Sequence, residues 1–199
     1  MKADAARDGI DLEITSAFRD FAAQQRIWNL KWNGERALYD PEGIARDHAA
    51  LGPAELLDAI LCWSALPGAS RHHWGSELDL IDRAAVPKGY SVRLLPAEVA
   101  PGGVFHPLHC WLDTNMTRYG FFRPYRTFRG GVRPEAWHLS YAQVSLPALS
   151  ALTPQLVADA VRDSDMLGKD LVLERVAELH TRYVVNIDEH FAGGNVAAA

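Results

Sequence analysis

Two polar segments that lie far apart in the chain restrict the possible folds of this protein more than any other sequence feature. They are residues 70–79 (SRHHWGSELD) and residues 135–138 (EAWH). A catalytic zinc site takes three protein ligands from His nitrogen, carboxylate oxygen or Cys sulfur, and it leaves a fourth position open for water. His72, Asp79 and His138 supply such a set. We therefore expect a fold in which both segments meet around one ion.

Glu135 is the candidate for a second task at this site, because a carboxylate that is not a ligand must accept a proton from the water. Glu135 and His138 are three residues apart, so they would lie on opposite faces of a regular strand. We expect either a bend or bulge between them or a strand that begins within the pair. His72 is expected at the exit of a loop and Asp79 inside the strand that follows.

The two segments resemble the signature of a known family. The pattern Ser-x-His-x-x-Gly-x-x-x-Asp at 70–79, followed by Glu-x-Trp-His at 135–138, is similar to that of the zinc D-alanyl-D-alanine carboxypeptidases of the VanY type. That family is grouped with the lysostaphin-like endopeptidases and the hedgehog signalling domain. Residues 15–19 (TSAFR), with Gln24 after them, are similar to the Ser-Gly-Tyr-Arg segment that the family carries upstream. The resemblance therefore covers positions 15–140 in three segments, in the family's order.

The resemblance implies a role for each polar residue of these segments. One zinc ion would be bound by His72, Asp79 and His138. Glu135 is implied as the base, and Arg19 as a second catalytic residue, whose guanidinium would stabilise an oxyanion without reorganising or hold a terminal carboxylate. The residues implied at the substrate are Ser70, Gln24 and His73. His73 offers the same nitrogen ligands as its neighbour His72, but the resemblance assigns the metal to the first histidine of the pair.

One position departs from the family pattern. Glu77 stands where the family usually has alanine, two residues before the ligand Asp79. Residues two apart share one face of a regular strand. A second carboxylate would therefore approach the metal or pair with a nearby arginine, and the departure bears on substrate preference more than on metal binding.

Simpler explanations exist for several of the charged residues. The residues of the centre could form a salt-bridge or hydrogen-bond cluster without a metal. Five arginines crowd one segment of an otherwise acidic chain: Arg118, Arg123, Arg126, Arg129 and Arg133. They predict either a solvated loop face or a rim that attracts an anionic peptide. A metal site needs a convergent set of ligands, so the other histidines are expected at the surface or as caps. These are His48, His106, His109, His180 and His190.

Composition narrows the class of protein and of partner. A chain of 199 residues with 48% hydrophobic residues predicts one domain with a substantial core. A net charge of -5 argues against a nucleic-acid partner, which would need a basic surface. No apolar run reaches the roughly eighteen residues of a membrane span, and the N-terminus lacks the apolar core of a secretory signal. The resemblance to cell-wall enzymes implies a periplasmic or otherwise exported protein whose signal is absent from this chain, and a cytoplasmic location stays open.

The hydrophobic pattern, together with the resemblance, predicts an α+β fold. A small antiparallel sheet would carry the zinc site on its open face, with flanking helices and a C-terminal helical hairpin. We expect a single domain over 1–199, with a metal-site core at 10–142 and a helical extension at 143–192. Helices are expected at about 2–9, 20–32, 53–63 and 106–119, and in a hairpin of two helices that begin at about 153 and 170. Long irregular segments are expected at 33–52 and at 83–103, the latter with room for one short strand, and a frayed tail at 193–199. Both cysteines, Cys62 and Cys110, are expected as buried thiols without a disulfide.

These expectations define a function with two alternatives. The first is a zinc peptidase that hydrolyses D-amino-acid-containing cell-wall peptides, above all the terminal D-Ala-D-Ala bond of a peptidoglycan stem peptide or muropeptide. An endopeptidase that cuts L-Ala-D-Glu or a cross-bridge would use the same centre. A non-catalytic zinc-holding binding module is a third possibility, against which Glu135 argues, because such a module needs no base.

Overall fold

A four-stranded antiparallel sheet forms the centre of the molecule, as seen in a computed structural model that describes residues 1–189. The strands run in the spatial order β1-β2-β4-β3. They are β1 (Leu12–Ser16), β2 (Glu77–Asp82), β3 (Phe121–Phe122) and β4 (His138–Tyr141). The α+β fold with a small antiparallel sheet is confirmed. His190 and the tail expected at 193–199 lie outside the described residues.

Helices surround this sheet. They are α1 (Lys2–Arg7), α2 (Phe21–Trp32), α3 (Pro53–Leu61), α4 (Pro96–Val99), α5 (His106–Asn115), α6 (Ala142–Ala151), α7 (Pro154–Arg162), α8 (Lys169–Glu174) and α9 (Val176–Leu179). Short 3-10 turns span His48–Ala50, Arg71–Trp74 and Met116–Tyr119. A π-helical turn spans His180–Val184.

The register of the central strands brings the two distant polar segments together. Asp79 of β2 pairs with His138 of β4, and Glu77 pairs with Ser140 two positions along. On the other side of β2, an irregularity in β1 places Ser16 opposite Asp79. Paired residues of neighbouring strands have side chains about 5 Å apart on the same face. The register therefore places two of the expected metal ligands side by side.

The back face of the sheet packs on α1 and α5. Its buried residues are Ala5, Ile10, Leu12, Leu80, Leu108, Leu112, Met116 and Leu139. Leu80 and Leu139 are completely buried, while the next residue on each strand points to the other face. Each such leucine contributes about 1.5–3 kcal/mol through burial. This layer keeps the polar face of β2 and β4 turned toward the other side of the domain.

A second core joins α2 and α3 to the C-terminal helices. Its buried residues include Trp28, Leu57, Ile60, Val157, Val161, Val172 and Leu179. Helix α2 begins where expected, because the Asp20 carboxylate accepts a hydrogen bond from the N–H of Ala23 at 2.7 Å. The indole N–H of Trp28 donates to the carbonyl of Leu167 at 3.0 Å. The C-terminal helices therefore pack against α2 and α3.

Several elements differ in detail from the expectations. The second helix of the hairpin, expected as one piece from about 170, is divided at Arg175 (φ -107°, ψ 8°) into α8 and α9. Helix α6 was not expected and begins directly after β4. Within the described residues, segment 83–103 contains the short helix α4 and no strand. The division of the domain at 142 stays a prediction.

The two cysteines were predicted to be free and buried, and they differ in their burial. Both are free, as expected, but Cys62 is half-buried and Cys110 is exposed. Leu108 and Leu112 face the core from α5, and Cys110 lies between them, about 200° around the helix from either one. The expectation that Cys110 is buried is therefore wrong.

A helix that crosses a membrane must be long and apolar. Within residues 1–189, no single helix is long and apolar enough to cross a membrane. Only α6 and α7 reach that length and apolarity together, and they are bent by 80° at the break between them.

Candidate metal centre

Three side chains from three different elements converge in front of the sheet. His72 lies on the 3-10 turn Arg71–Trp74, Asp79 in β2 and His138 at the first position of β4. All three are buried, and one ligand atom from each lies within 4.8 Å of the others. This is the set of metal ligands expected from the sequence, and the structure brings it together.

The ring of His72 has a defined orientation. Its Nδ1 lies 2.6 Å from the carbonyl oxygen of Ala17. Because a carbonyl oxygen only accepts, Nδ1 carries the proton, and the lone pair is on Nε2. Nε2 lies 3.5 Å from Oδ2 of Asp79. His72 therefore presents an unprotonated nitrogen to the cluster, as a metal ligand must.

The ring of His138 is held on both sides by carboxylates. Nδ1 lies 3.0 Å from Oδ1 of Asp79, and Nε2 lies 2.8 Å from Oε2 of Glu77. Burial opposes the charged ring, but the hydrogen bonds to Asp79 and Glu77 outweigh it and raise the pKa of His138. A proton on Nδ1 is the one that a metal ion would replace, and the Nε2 proton would remain on the Glu77 side.

The sequence left open whether Glu77 approaches the metal or pairs with an arginine. Its side chain is completely buried, and Oε2 lies 3.3 Å from Nε of Arg71. Oε1 accepts hydrogen bonds from the hydroxyls of Ser76 at 2.9 Å and Ser140 at 2.8 Å. Burial disfavours the charged form, but the hydrogen bond and charge of His138 and the charge of Arg71 lower the pKa of Glu77. Glu77 thus pairs with an arginine and supports His138, one of the two expected alternatives.

Glu135, in contrast to Glu77, has a carboxylate that accepts no hydrogen bond from the described residues. It precedes β4, so the strand begins within the pair, as one of the two alternatives predicted. Its Oε2 lies 4.0 Å from Nδ1 of His138, with the side chain 13% exposed. No group among residues 1–189 donates a hydrogen bond to this carboxylate. Burial, with a contribution from the charge of Asp79, raises the pKa of Glu135 to about 7. A carboxyl group with that pKa is suited to accept and return a proton at neutral pH.

Arg19 lies just after β1 and is fixed by three hydrogen bonds. Its backbone N–H donates to the carbonyl of His72 at 3.1 Å. Its guanidinium donates to Oε1 of Gln24 at 2.7 Å and to the hydroxyl of Ser16 at 2.8 Å. The amide of Gln24 in turn donates to the carbonyl of Ala65 at 2.7 Å. Gln24 is buried and does not line the cavity, so its contact is with Arg19.

A cavity of about 230 Å³ opens in front of these groups. The expected site residues that line it are Arg19, Ser70, His72, Asp79, Glu135 and His138. His73 is not among them. Its Nδ1 lies 2.6 Å from the carbonyl of Arg19, and its Nε2 accepts a hydrogen bond from the N–H of Gly68 at 3.1 Å. Both ring nitrogens of His73 are therefore used to join backbone segments, and the structure does not bring this residue to the substrate side.

The cavity is also lined by cationic residues that the sequence analysis did not select: Lys31, Arg36 and Arg93. One signal for Lys31 was present, because it is three residues after Trp28 on α2 and thus on the buried face of that helix. The five arginines between 118 and 133 do not line this cavity. Arg118 pairs with Asp4 and Arg123 with Asp113, and Arg123, Arg126 and Arg133 line a separate cavity, so this segment forms no rim around the metal-centre cavity.

The remaining described histidines do not join the cluster. His48, His106 and His180 each contact a backbone carbonyl, those of Trp32, Val99 and Leu152 respectively. His109 is buried beside the guanidinium of Arg123. Capping contacts were expected for these residues, but the burial of His109 and His180 was not.

The sequence and the fold are similar to those of known proteins. The family model described as VanY, D-alanyl-D-alanine carboxypeptidase, matches residues 1–144. An uncharacterised protein of Haemophilus influenzae is 31% identical over 128 residues, which cover 63% of this chain and 95% of that protein. A D-alanyl-D-alanine carboxypeptidase of Enterococcus faecalis is 30% identical over 145 residues, 71% of this chain but 44% of that longer protein.

Among solved structures, VanYB in complex with D-alanine-D-alanine is similar in fold. The TM-score is 0.51 at 22% identity, and the match covers 82% of this chain and 77% of that one. The family match covers well over half of the present sequence and includes all three segments of the resemblance. The chain therefore belongs to the VanY family of D-alanyl-D-alanine carboxypeptidases.

Proposed function

We propose that the protein is a zinc-dependent D-alanyl-D-alanine carboxypeptidase that acts on peptidoglycan stem peptides or muropeptides. The observation that carries the proposal is the environment of Glu135, a buried carboxylate without hydrogen-bond donors beside a His-Asp-His donor set. A cluster built only for stability would leave no buried carboxylate without a hydrogen-bond donor, since such groups destabilise proteins. Membership of the VanY family supports the same activity. The location, exported or cytoplasmic, stays a prediction.

The donor set fits one zinc ion. Two imidazole nitrogens and one carboxylate are a typical ligand set of catalytic zinc, and hydrogen bonds from the outer nitrogens commonly fix such ligands. Nε2 of His72, Nδ1 of His138 and the carboxylate of Asp79 would hold the ion. When bound, zinc lowers the pKa of water and polarises the carbonyl of the scissile bond.

Glu135 would carry the proton. Its carboxylate accepts a proton from the attacking water and then delivers it to the nitrogen of the leaving D-alanine. A base of this kind works best when its pKa lies near the working pH. Burial raises the pKa of Glu135 to about 7 in the protein without metal. A positive ion nearby would lower that pKa, so that the charged, proton-accepting form prevails at neutral pH.

Arg19 would stabilise negative charge on the substrate. Its guanidinium is held by Gln24 and Ser16 before any substrate arrives, so no reorganisation is needed when an oxyanion forms. The same group could instead take the terminal carboxylate of the peptide. Ser70 lies in the cavity wall and would orient the substrate. Gln24 contributes through Arg19, and we place His73 outside the reaction.

The test compares a pentapeptide that ends in D-Ala-D-Ala with the same peptide amidated at its C-terminus. Wild type and Glu135→Ala are incubated with both, and the zinc bound by each protein is quantified. We expect wild type to release D-alanine from the free acid only, and Glu135→Ala to bind zinc equally but release none. Cleavage of the amidated peptide would favour an endopeptidase. No cleavage of either peptide or of whole peptidoglycan, with zinc bound, would favour the binding module.

A further inference from the structure

The cavity contains more positive charge than the reaction at one terminal carboxylate requires. Its lining includes the cations of Arg19, Lys31, Arg36 and Arg93 and the acids Asp79 and Glu135. Arg71 also borders the cavity, but its charge is met by Glu77. A zinc ion on His72, Asp79 and His138 would make the cavity more positive still. Cavities lined by one sign of charge attract ligands of the opposite sign.

Lys31 is the most unusual of these cations. Only 8% of the residue is exposed, and its ammonium group donates to the hydroxyl of Ser64 at 2.5 Å. Lys31 forms no ion pair with any carboxylate in residues 1–189. Burial, together with the positive charge of Arg36, lowers the pKa of Lys31 to about 8. A buried ammonium without an acid partner is unfavourable in the free protein, and a bound anion would relieve it.

Arg36 and Arg93 extend this positive surface toward solvent. Both are exposed, and neither guanidinium has an ion pair or a hydrogen bond to another residue of the described chain. The positive charge of Arg36 lowers the pKa of both Arg19 and Lys31, so the three cations repel one another. Like charges that line one cavity are typical of a site that binds an anion.

Arg19 differs from this group by its position. Its backbone is bonded to His72, and the charge of Asp79 acts on its guanidinium but not on Lys31, so we place Arg19 at the reacting end of the peptide. We infer that Lys31, Arg36 and Arg93 form a second anion subsite, which binds a further carboxylate of the substrate and selects acidic peptides. The inference rests on the proposed peptidase function, and it names the class of peptide: one with an acidic side chain before the D-Ala-D-Ala end.

The experiment uses N-acetylated tetrapeptides that end in D-Ala-D-Ala, with glutamate or glutamine at one of the two preceding positions and glycine at the other. The peptides form two pairs, each with glutamate or glutamine at the same position. In at least one pair, the KM of wild type for the glutamate peptide should be about tenfold or more below that for the glutamine peptide. A difference of this size corresponds to one charge-assisted hydrogen bond. The kcat should be similar, because this carboxylate binds away from the scissile bond.

Two variants and a matched control assign the effect to this surface. Lys31→Met removes the charge at nearly constant volume and should abolish the preference, while thermal unfolding shows that the variant is folded. Arg36→Ala should reduce the preference, and Arg26→Ala, an exposed arginine on the same helix as Lys31 but outside the cavity, should leave it unchanged.

The outcomes separate the subsite from the activity. Equal KM values for glutamate and glutamine peptides in wild type would overturn the subsite and leave the peptidase proposal intact. A preference that survives in both Lys31→Met and Arg36→Ala would also overturn it. If wild type with bound zinc cleaves none of the peptides, the proposed function fails, and the subsite fails with it.

Discussion

A largely buried glutamate lies on each side of the ring of His138, and the two glutamates differ in their hydrogen bonding and in their pKa. On the Nε2 side, Glu77 is completely buried and has hydrogen-bonding partners in His138, Arg71, Ser76 and Ser140. On the Nδ1 side, Glu135 is also largely buried, but no group in residues 1–189 donates to its carboxylate. The pKa of Glu77 is lowered, and the pKa of Glu135 is raised to about 7.

The difference shows that burial alone does not decide the protonation of a glutamate. Burial raises the pKa of both residues, and for Glu77 the hydrogen bond and charge of His138, the charge of Arg71 and the hydrogen bond of Ser140 reverse the shift. A fully bonded carboxylate is suited to hold a histidine in one orientation, because it stays charged. An unbonded carboxylate is suited to move a proton. The predictions that follow test this division, beginning with the largest expected effect.

Replacing Glu135 should have the largest effect. Glu135→Gln keeps the shape of the side chain but removes the proton acceptor, so kcat should fall by about 10²–10⁴-fold, the usual contribution of general base catalysis. Bound zinc should be unchanged, because Glu135 is not among the proposed ligands. The measurement is D-alanine release at saturating substrate with metal content determined on the same samples. A variant with full zinc and more than a tenth of the wild-type kcat would contradict the assignment.

Replacing Glu77 should act on the metal rather than on the proton. Glu77→Gln removes the charge that holds the Nε2 proton of His138, so the dissociation constant for zinc should rise about 10–100-fold. Competition with a coloured chelator measures it. Glu13→Gln, a half-exposed glutamate of β1, is the matched control and should bind zinc as wild type does.

Because Glu77→Gln leaves Arg71 without its acid partner, the variant could unfold. The pair Arg71→Met with Glu77→Gln removes both charges together and should be better tolerated. It should show the same loss of zinc affinity. Wild-type affinity in this folded double variant would mean that Glu77 serves stability and not the centre.

The raised pKa of Glu135 predicts a pH-dependent effect on stability in the protein freed of zinc. Between its ordinary value of 4.5 and about 7, the folded protein keeps a proton that the unfolded chain has lost. Rising pH therefore destabilises the folded state through this window, and the full penalty, up to about 3 kcal/mol, is present above it.

Glu135→Gln removes this penalty. The variant should unfold several degrees above wild type at pH 8, and the two should coincide below pH 4.5. Thermal unfolding in the presence of chelator at both pH values measures the difference. If the difference in unfolding temperature between variant and wild type is the same at both pH values, the pKa of Glu135 is not raised in the folded protein.

The candidate metal ligands could be predicted from the sequence by their residue types and by the family motif, and strand pairing explains why they meet. Once Asp79 and His138 are placed on neighbouring antiparallel strands, one register brings them side by side, and the turn before β2 adds His72. The expected bend or strand start near Glu135 follows from the same rule of alternation. Periodicity alone did not separate His72 from His73, and the resemblance to the family motif made that choice.

Other features depend on contacts that periodicity does not describe. The bond between Glu77 and Nε2 of His138 depends on the orientation of a ring, which sequence spacing leaves free. The electrostatic effect of Arg36 on Lys31 depends on how segment 33–52 folds. The break at Arg175 interrupts a helix whose apolar pattern continues across it. In each case the missing information was tertiary packing, which overrides local preference.

The smallest expected effect comes from removing one hydrogen bond of Glu77. The hydroxyl of Ser140 donates to Oε1 of Glu77 and accepts from Arg71 at 2.7 Å, so Ser140→Ala leaves Glu77 with one donor fewer. At about 1 kcal/mol for a buried hydrogen bond, zinc affinity should fall about fivefold. Ser145→Ala, which removes a hydroxyl that contacts Ser140 but not Glu77, should have less effect. An unchanged affinity in Ser140→Ala would mean that His138, Arg71 and Ser76 keep Glu77 charged without this hydroxyl, and the contrast with Glu135 would then not depend on the Ser140 hydrogen bond.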